Sequence, residues 1–196
     1  MIVTQNLRIS PVRLSGPPED TREYAAIIAA FSDPSFYYAE FKSGLSASDR
    51  QSEIRSFLLK YAAFESLPAA ERHSWGFFVY AGDDFIGFAE LEDRTMNNGR
   101  HEANFGIFVL PDHQKKGYAA EISAALFRWA FEALKLDGIH ITINPQNRAS
   151  IATFTRNFPL ISHGPCANKY AANDGVAIWD RYYLYKPDFQ KTSQSL

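Results

Sequence analysis

The segment QKKGYA, residues 114–119, stands at the start of a long predicted helix and carries residue types suited to binding an anion. The first turn of a helix has several unpaired N–H groups and about half a positive charge, and phosphate groups are often bound there. Gly117 lacks the Cβ that would hold an anion away from the backbone, and Ala119 adds only a methyl group. Lys115 and Lys116 can add positive charge at the rim. Chemically, the segment is suited to a pyrophosphate group.

Two common phosphate-binding motifs do not account for this segment. A P-loop needs the pattern G-x-x-x-x-G-K-[ST] and a dinucleotide-binding fold needs G-x-G-x-x-G, and the sequence contains neither. Direct γ-phosphate chemistry and hydride transfer are therefore disfavoured. On spacing alone, a helix start with a permissive glycine and solvated lysines explains the segment equally well.

Composition limits the classes of protein that can hold this segment. The 196 residues suffice for one sizeable core, and 46% of them are apolar, which is typical of a globular domain. A net charge of −2 without a basic block disfavours nucleic-acid binding. There is no apolar run of about 18 residues and no secretory signal pattern, so no membrane partner is expected. The lone Cys166 fits a reducing cytoplasm, and we expect a cytoplasmic protein with one domain over residues 1–196.

The order of predicted elements indicates an α+β fold with one mixed sheet rather than a doubly wound parallel sheet. Apolar periodicity changes between helical and alternating along the chain, and turn residues separate the segments. The central helix carries an apolar stripe from Ile122 to Leu136, with Gly138 as its expected C-terminal cap. The other predicted elements are a strand over 7–12, helices over 19–31, 49–66 and 147–157, a strand over 139–143, and hairpins turning at 81–84, 97–99 and 173–175.

Several segments together resemble one protein family. QKKGYA resembles the Q/R-x-x-G-x-G/A motif of the GNAT acyltransferase superfamily. GYAAE, followed by LFRWAFEALKLDGIHITINPQNRASI, is similar to the RimJ/RimL-type N-acetyltransferase branch, and DFIGFAEL resembles the family's glycine-bearing strand. The clearest similarity covers residues 85–158. It implies a GNAT fold: a mixed, mostly antiparallel sheet of about six to seven strands, with helices on both faces. A splayed parallel pair, residues 105–110 and 139–143, would hold acetyl-CoA.

The resemblance also implies which residues bind the acetyl donor. The pantetheine arm would pair with the backbone near Phe108 and Val109. Asn147 matches a family asparagine that contacts the same arm, although the cap of a helix is an alternative role. No metal is implied. The pyrophosphate would lie on the backbone N–H groups of Gln114, Lys115, Lys116, Gly117, Tyr118 and Ala119.

The resemblance points less directly to catalytic groups. Ser150 matches a serine proposed in this branch to protonate the departing thiolate, and a first-turn serine bonded to its own helix is the alternative. Phe154 stands where many relatives have a tyrosine acid, and Asn104 where many have a glutamate base. Glu102 and Glu90 are the remaining candidates for a base, and the alternative for each, more common for such residues, is a solvated surface carboxylate.

The acceptor is the least determined part of the prediction. We expect direct attack by a primary amine, either a protein N-terminal α-amine or a small-molecule or peptide amine, in a ternary complex. An aromatic wall containing Phe36, Tyr37, Tyr38 and Phe41, with Glu40, or simply a packed aromatic cluster, would lie beside it. The alternative function is a catalytically degenerate CoA-binding sensor or scaffold. The chain is expected to be a monomer or homodimer.

Overall fold

A single twisted sheet organises the part of the chain that the computed structural model describes, which is residues 1–33, 36, 45–97, 99–168 and 177–193. Within these ranges the strands are β1 Ile2–Val3, β2 Arg8–Pro11, β3 Trp75–Ala81, β4 Asp84–Asn97, β5 Arg100–Val109, β6 Gly138–Ile143, β7 Ile161–Asn168 and β8 Ala177–Tyr185. The helices are α1 Arg22–Ser32, α2 Ala47–Ser66, α3 Tyr118–Glu132, α4 Arg148–Asn157 and α5 Lys186–Ser193.

The sheet is mixed and mostly antiparallel, as predicted. Its strand order is β1-β2-β3-β4-β5-β6-β8-β7, and the parallel contact is the one between β5 and β6. The described residues form eight strands, against about six to seven predicted, in part because β1 has only two residues and is too short to give a periodic signal. The turns predicted at 81–84 and 97–99 do join β3 to β4 and β4 to β5. The turn predicted at 173–175 lies outside the described residues.

Each face of the sheet carries its own core, because successive strand residues point to opposite faces. We call these the α3 face, covered by α3, α4 and α5, and the α2 face, covered by α1 and α2. Helices on both faces were predicted, and the structure confirms them. The α3 face buries Phe77, Ala89, Leu91, Ala103, Phe105, Ile122, Leu126, Phe127, Ile139, Phe154 and Phe189. The α2 face buries Ile27, Phe36, Ile54, Leu58, Tyr61, Phe78, Phe88 and Phe108.

The end of α3 differs from the prediction. The helix stops at Glu132, and Lys135 takes the left-handed conformation, with φ of 56°, that was expected of Gly138. Leu136 then donates its N–H to the Ala130 carbonyl at 3.2 Å and is buried. Gly138 is instead the first residue of β6, opposite Glu102 and Tyr185. The apolar stripe extends beyond the helix because the chain turns while still against the core.

The described residues contain neither a membrane-spanning helix nor a metal-binding cluster. Across those ranges, no helix combines the length and apolarity required to cross a bilayer. In the same part of the chain, no three His, Cys, Asp or Glu side chains are grouped so as to hold a metal ion.

Candidate active site

A wedge-shaped gap opens between the two parallel strands. β5 and β6 are paired over three rows, which end at Asn104 opposite His140. Beyond that row, β5 continues beside β4 to Val109, and β6 continues beside β8 to Ile143. The splay predicted for residues 105–110 and 139–143 is therefore confirmed. Because parallel strands end at the same edge of a sheet, the N-termini of α3 and α4 both lie at the open end of the gap.

The N-terminus of α3 is built around Gly117. This residue is the N-cap, with φ of 82°, and no side chain caps the helix. A Cβ at Gly117 would meet no atom within 4 Å, so the backbone conformation rather than crowding within the chain favours glycine here. The N–H groups of residues 115–119 donate to no other described residue. Lys115 and Lys116 are exposed beside them. The turn therefore presents backbone donors and positive charge to one region of solvent.

The end of β5 shows which backbone groups face the gap. Leu110 donates its N–H to the Ile86 carbonyl at 2.8 Å, so residues of the same parity on β5, including Phe108, direct their N–H and C=O groups towards β4. Val109 has the opposite parity, and its carbonyl accepts from Nε2 of Gln114 at 2.9 Å. Of the two residues predicted to pair with pantetheine, only Val109 turns its backbone towards the gap. The Phe108 ring is stacked on Phe88 in the α2-face core, with centroids 5.8 Å apart.

The start of α4 contains the other two predicted residues. Asn147 is the N-cap, and its Oδ1 accepts from the Ser150 N–H at 3.0 Å. Asn147 therefore caps the helix, which was the alternative role considered for it. Capping uses the side-chain oxygen and leaves the Nδ2 amide as a donor. The Ser150 hydroxyl is partly buried and makes no hydrogen bond to any described residue. It is therefore not bonded back to its own helix.

Glu90 lies beside the gap, and glycines flank it on both neighbouring strands. The register places Gly76 of β3, Glu90 of β4 and Gly106 of β5 in one row across the sheet. The carboxylate lies over Gly106, since a Cβ there would be 2.5 Å from Oε1 of Glu90. Gly106 is two residues beyond Asn104, where β5 and β6 have begun to separate. The carboxylate of Glu90 thus reaches across β5 towards the gap.

The Glu90 carboxylate belongs to a small polar cluster under α2. The Tyr61 hydroxyl donates to Oε2 of Glu90 at 2.5 Å and to Oε1 of Glu92 at 2.7 Å. Lys60 forms an ion pair with Glu92, which is buried. Burial, and then the charges of Glu90 and Glu92, raise the pKa of Tyr61 far above its ordinary value. Tyr61 therefore stays a neutral hydrogen-bond donor.

Glu102 occupies the opposite end of the strand pair. It is buried and lies opposite Gly138 at the first row of the parallel contact, the end away from the gap. It lies on the same face as Gly106 but four residues earlier, or about 13 Å along the strand. Asn104 lies between them, and Phe154 is buried in the α3-face core. The structure thus brings Glu90, and not Glu102, to the open part of the gap.

Sequence reasoning missed most of the cluster around Glu90. Tyr61 falls within the helix predicted over 49–66 and its ring is buried, but the role of its hydroxyl depends on pairing between distant strands. Glu92 was not singled out, although the alternation E-L-E at residues 90–92 is a local signal that puts it on the same face as Glu90. Phe36 is buried against Phe31 and Phe108, which fits the packed-cluster alternative, and Tyr37, Tyr38, Glu40 and Phe41 lie outside the described residues.

Comparison with known proteins identifies the family. The family model named acetyltransferase (GNAT) domain matches residues 12–157, which are 146 of the 196 residues. The chain therefore belongs to the GNAT acetyltransferase family, whose members take the acetyl group from acetyl-CoA. The superfamily inferred from QKKGYA is thereby confirmed. No curated protein sequence matches the chain.

Three solved structures illustrate the shared fold. A chimera of the spermidine N-acetyltransferase SpeG from Vibrio cholerae with hSSAT is 16% identical, with a TM-score of 0.69 over 95% of this chain and 99% of the other. The Vibrio cholerae spermidine N-acetyltransferase in complex with CoA and spermine is 15% identical, with a TM-score of 0.66 over 95% and 99%. A proposed ribosomal-protein-serine acetyltransferase of Vibrio cholerae is 19% identical, with a TM-score of 0.69 over 94% and 96%. At these identities the likeness establishes the fold alone.

Proposed function

We propose that this chain is an acetyl-CoA-dependent N-acetyltransferase whose acceptor is a primary amine, either a protein N-terminal α-amine or a small-molecule or peptide amine. The observation that carries the proposal is the Glu90 carboxylate, which lies over Gly106 beside the splayed gap. A carboxylate there can attract an ammonium group and take its proton. We further propose that residues 1–196 form one domain of the RimJ/RimL-type branch, as a monomer or homodimer. Similarity to an enzyme crystallised with spermine makes polyamines one acceptor class to test.

Acetyl-CoA would be held at the open end of the gap. The N–H groups at the start of α3, with Lys115 and Lys116, suit its pyrophosphate, and the gap-facing backbone of Val109 suits the pantetheine arm. The Nδ2 amide of Asn147 is a further donor on the β6 side. When bound, acetyl-CoA supplies the acetyl group as a reactive thioester. The proposed donor-binding residues are Val109, Gln114, Lys115, Lys116, Gly117, Tyr118, Ala119 and Asn147, with Phe108 contributing through its packing beneath the strand.

The proposed chemistry assigns one role to each polar group. Glu90 takes a proton from the acceptor ammonium, and the nitrogen lone pair then attacks the acetyl carbonyl carbon. The C–N bond forms and the C–S bond breaks. The Ser150 hydroxyl protonates the departing thiolate and is restored by the second proton of the nitrogen, so that the products are an amide and a free thiol.

The test is a thiol-release assay with acetyl-CoA and a panel of amines: N-terminal peptides, amino acids, monoamines, diamines and spermidine. We expect turnover with at least one acceptor, a loss of more than tenfold in kcat/KM for Glu90→Gln, and a loss in kcat for Ser150→Ala. Glu102→Gln is the matched control, since it removes a buried carboxylate at the closed end of the same gap. It should keep kcat/KM within about threefold, because its carboxylate contacts no reacting group.

The same assay separates the alternative function from the proposed one. CoA binding measured by calorimetry, without thiol release on any amine, would indicate a CoA-binding sensor or scaffold. Failure to bind CoA at all would contradict both. If Glu90→Gln and Glu102→Gln lost activity equally, the assignment of Glu90 would be wrong, although the acetyltransferase function would stand.

A further inference from the structure

Tyr61 connects a helix to the candidate active site, although no known motif assigns it a role. Its single hydroxyl group contacts both Glu90 and Glu92, so the two carboxylate oxygens lie within about 5 Å of one another. The side chain of Tyr61 is 1% exposed. This hydroxyl is therefore a shared donor between two like charges rather than a surface group.

The sheet is shaped to hold this tyrosine in one position. A Cβ on Gly76 would collide with Cβ, Cγ and Cδ1 of Tyr61, so the absence of a side chain at Gly76 lets the ring lie on β3. Phe57 and Phe88 enclose the ring with centroids 5.1 and 5.4 Å away. The atoms of Tyr61 that lie over Gly76 include Cβ and Cγ, which are close to the backbone of α2. The position of the hydroxyl is therefore tied to the position of the helix.

Charged and polar groups lie close to Glu90. Tyr61 of α2 contacts it, and Glu92 of its own strand shares the same hydroxyl. Lys60 of α2 forms an ion pair with Glu92. The two carboxylates thus lie on either side of one hydroxyl group. Without a donor between them, like charges at this distance would favour protonation of one carboxylate.

We propose that Tyr61 is a positioning residue for the acceptor site: its hydroxyl holds the Glu90 carboxylate over Gly106 and keeps it ionised beside Glu92. The role in catalysis rests on the proposed function of Glu90, whereas the hold on its carboxylate does not. The sequence predicts only a packing role for α2. Through Tyr61, this helix also controls the position and charge of the Glu90 carboxylate.

The first experiment measures the carboxylate directly. In protein labelled with 13C at the glutamate carboxyl carbons, the Glu90 resonance is assigned by its loss in Glu90→Gln and titrated by NMR. We expect the titration midpoint to rise by about one pH unit or more in Tyr61→Phe, a tenfold gain in proton affinity. Tyr24→Phe is the control, because it removes another hydroxyl between α1 and α2, one that donates to the Gln51 carbonyl. An unchanged midpoint in Tyr61→Phe would overturn the proposal.

The second experiment follows kcat/KM against pH on the acceptor found by the amine panel. In Tyr61→Phe the acidic limb should move to higher pH by the same amount, with CoA affinity unchanged, and Tyr61→Phe/Glu92→Gln should bring it back towards wild type. A shifted NMR midpoint with an unshifted limb would overturn the role in catalysis. If the wild type acetylates no amine, the proposed function fails, and the NMR titration still decides whether Tyr61 controls Glu90.

Discussion

Replacing Gly106 with alanine tests whether the position of the Glu90 carboxylate matters. The new Cβ would lie 2.5 Å from Oε1, 3.0 Å from Cγ and 3.1 Å from Cδ of Glu90. Ordinary contact between such atoms begins near 3.4 Å, so the carboxylate oxygen must move by about 0.9 Å. The atoms that must move are at the end of a side chain, and the backbone of β5 can stay in place.

The expected effect is large on catalysis and small on stability. A misplacement of about 1 Å in a reacting group can cost about 100-fold in rate, so we expect kcat/KM to fall between about 10-fold and 100-fold. Alanine also favours a strand over glycine by roughly 0.5–1 kcal/mol, which offsets part of the strain on the hydrogen bond from Tyr61. The free energy of unfolding should therefore change by no more than about 1 kcal/mol.

The assay combines thiol release, CoA calorimetry and urea unfolding, with Gly138→Ala as the matched control. Gly138 is also a strand glycine of the β5–β6 pair, and a Cβ there would lie 3.3 Å from the Tyr185 ring and 3.4 Å from Glu102. These contacts need little adjustment, so kcat/KM should be unchanged. The reasoning is refuted if Gly106→Ala keeps kcat/KM within twofold of wild type while Glu90→Gln does not, because Glu90 would then act from another position.

Two further substitutions test other parts of the structure. Gly117→Ala forces a left-handed conformation that costs an ordinary residue about 1–2 kcal/mol, so CoA affinity or the melting temperature should fall, and calorimetry that found neither would contradict the proposed anion site. Burial raises the pKa of Glu121, but hydrogen bonds from Thr4 and Asn6 outweigh burial and lower that pKa below 4.5. The carboxylate therefore stabilises the fold above pH 4.5, and this stabilisation is lost as pH falls through the lowered pKa. Urea unfolding at pH 6 and pH 3 should show a smaller acid-induced loss in Glu121→Gln than in wild type, and equal losses would mean that these hydrogen bonds contribute nothing.

The parts of the site that depend on local sequence were predictable. The QKKGYA segment located the start of α3, and alternation placed Glu90, Glu92 and Glu102 on strands. Parity put Glu102 on the same face as Asn104, as it does in the structure. Parity does not give the distance of Glu102 from the open end of the gap. That distance depends on where the pairing between β5 and β6 ends, which is at Asn104 and His140.

The remaining features depend on pairing between distant segments. The backbone direction of Phe108 follows from the hydrogen bond between Leu110 and Ile86, which no local pattern specifies. Tyr61 fits the apolar stripe of α2 whether or not its hydroxyl has a partner, and only the register of β3 and β4 shows that it does. Local propensity also does not predict the end of α3. There Leu136 is buried, and Lys135 adopts the left-handed conformation that glycine usually takes.

The row formed by Gly76, Glu90 and Gly106 implies that these positions cannot vary independently. A side chain at position 76 would exclude the Tyr61 ring, and one at 106 would displace the carboxylate that the tyrosine holds. Relatives that keep the acidic residue should therefore keep both glycines and the tyrosine, and relatives that lose one should change the others together. Four positions spread over 46 residues thus form one inherited unit, which an alignment of close homologues would reveal as correlated substitution.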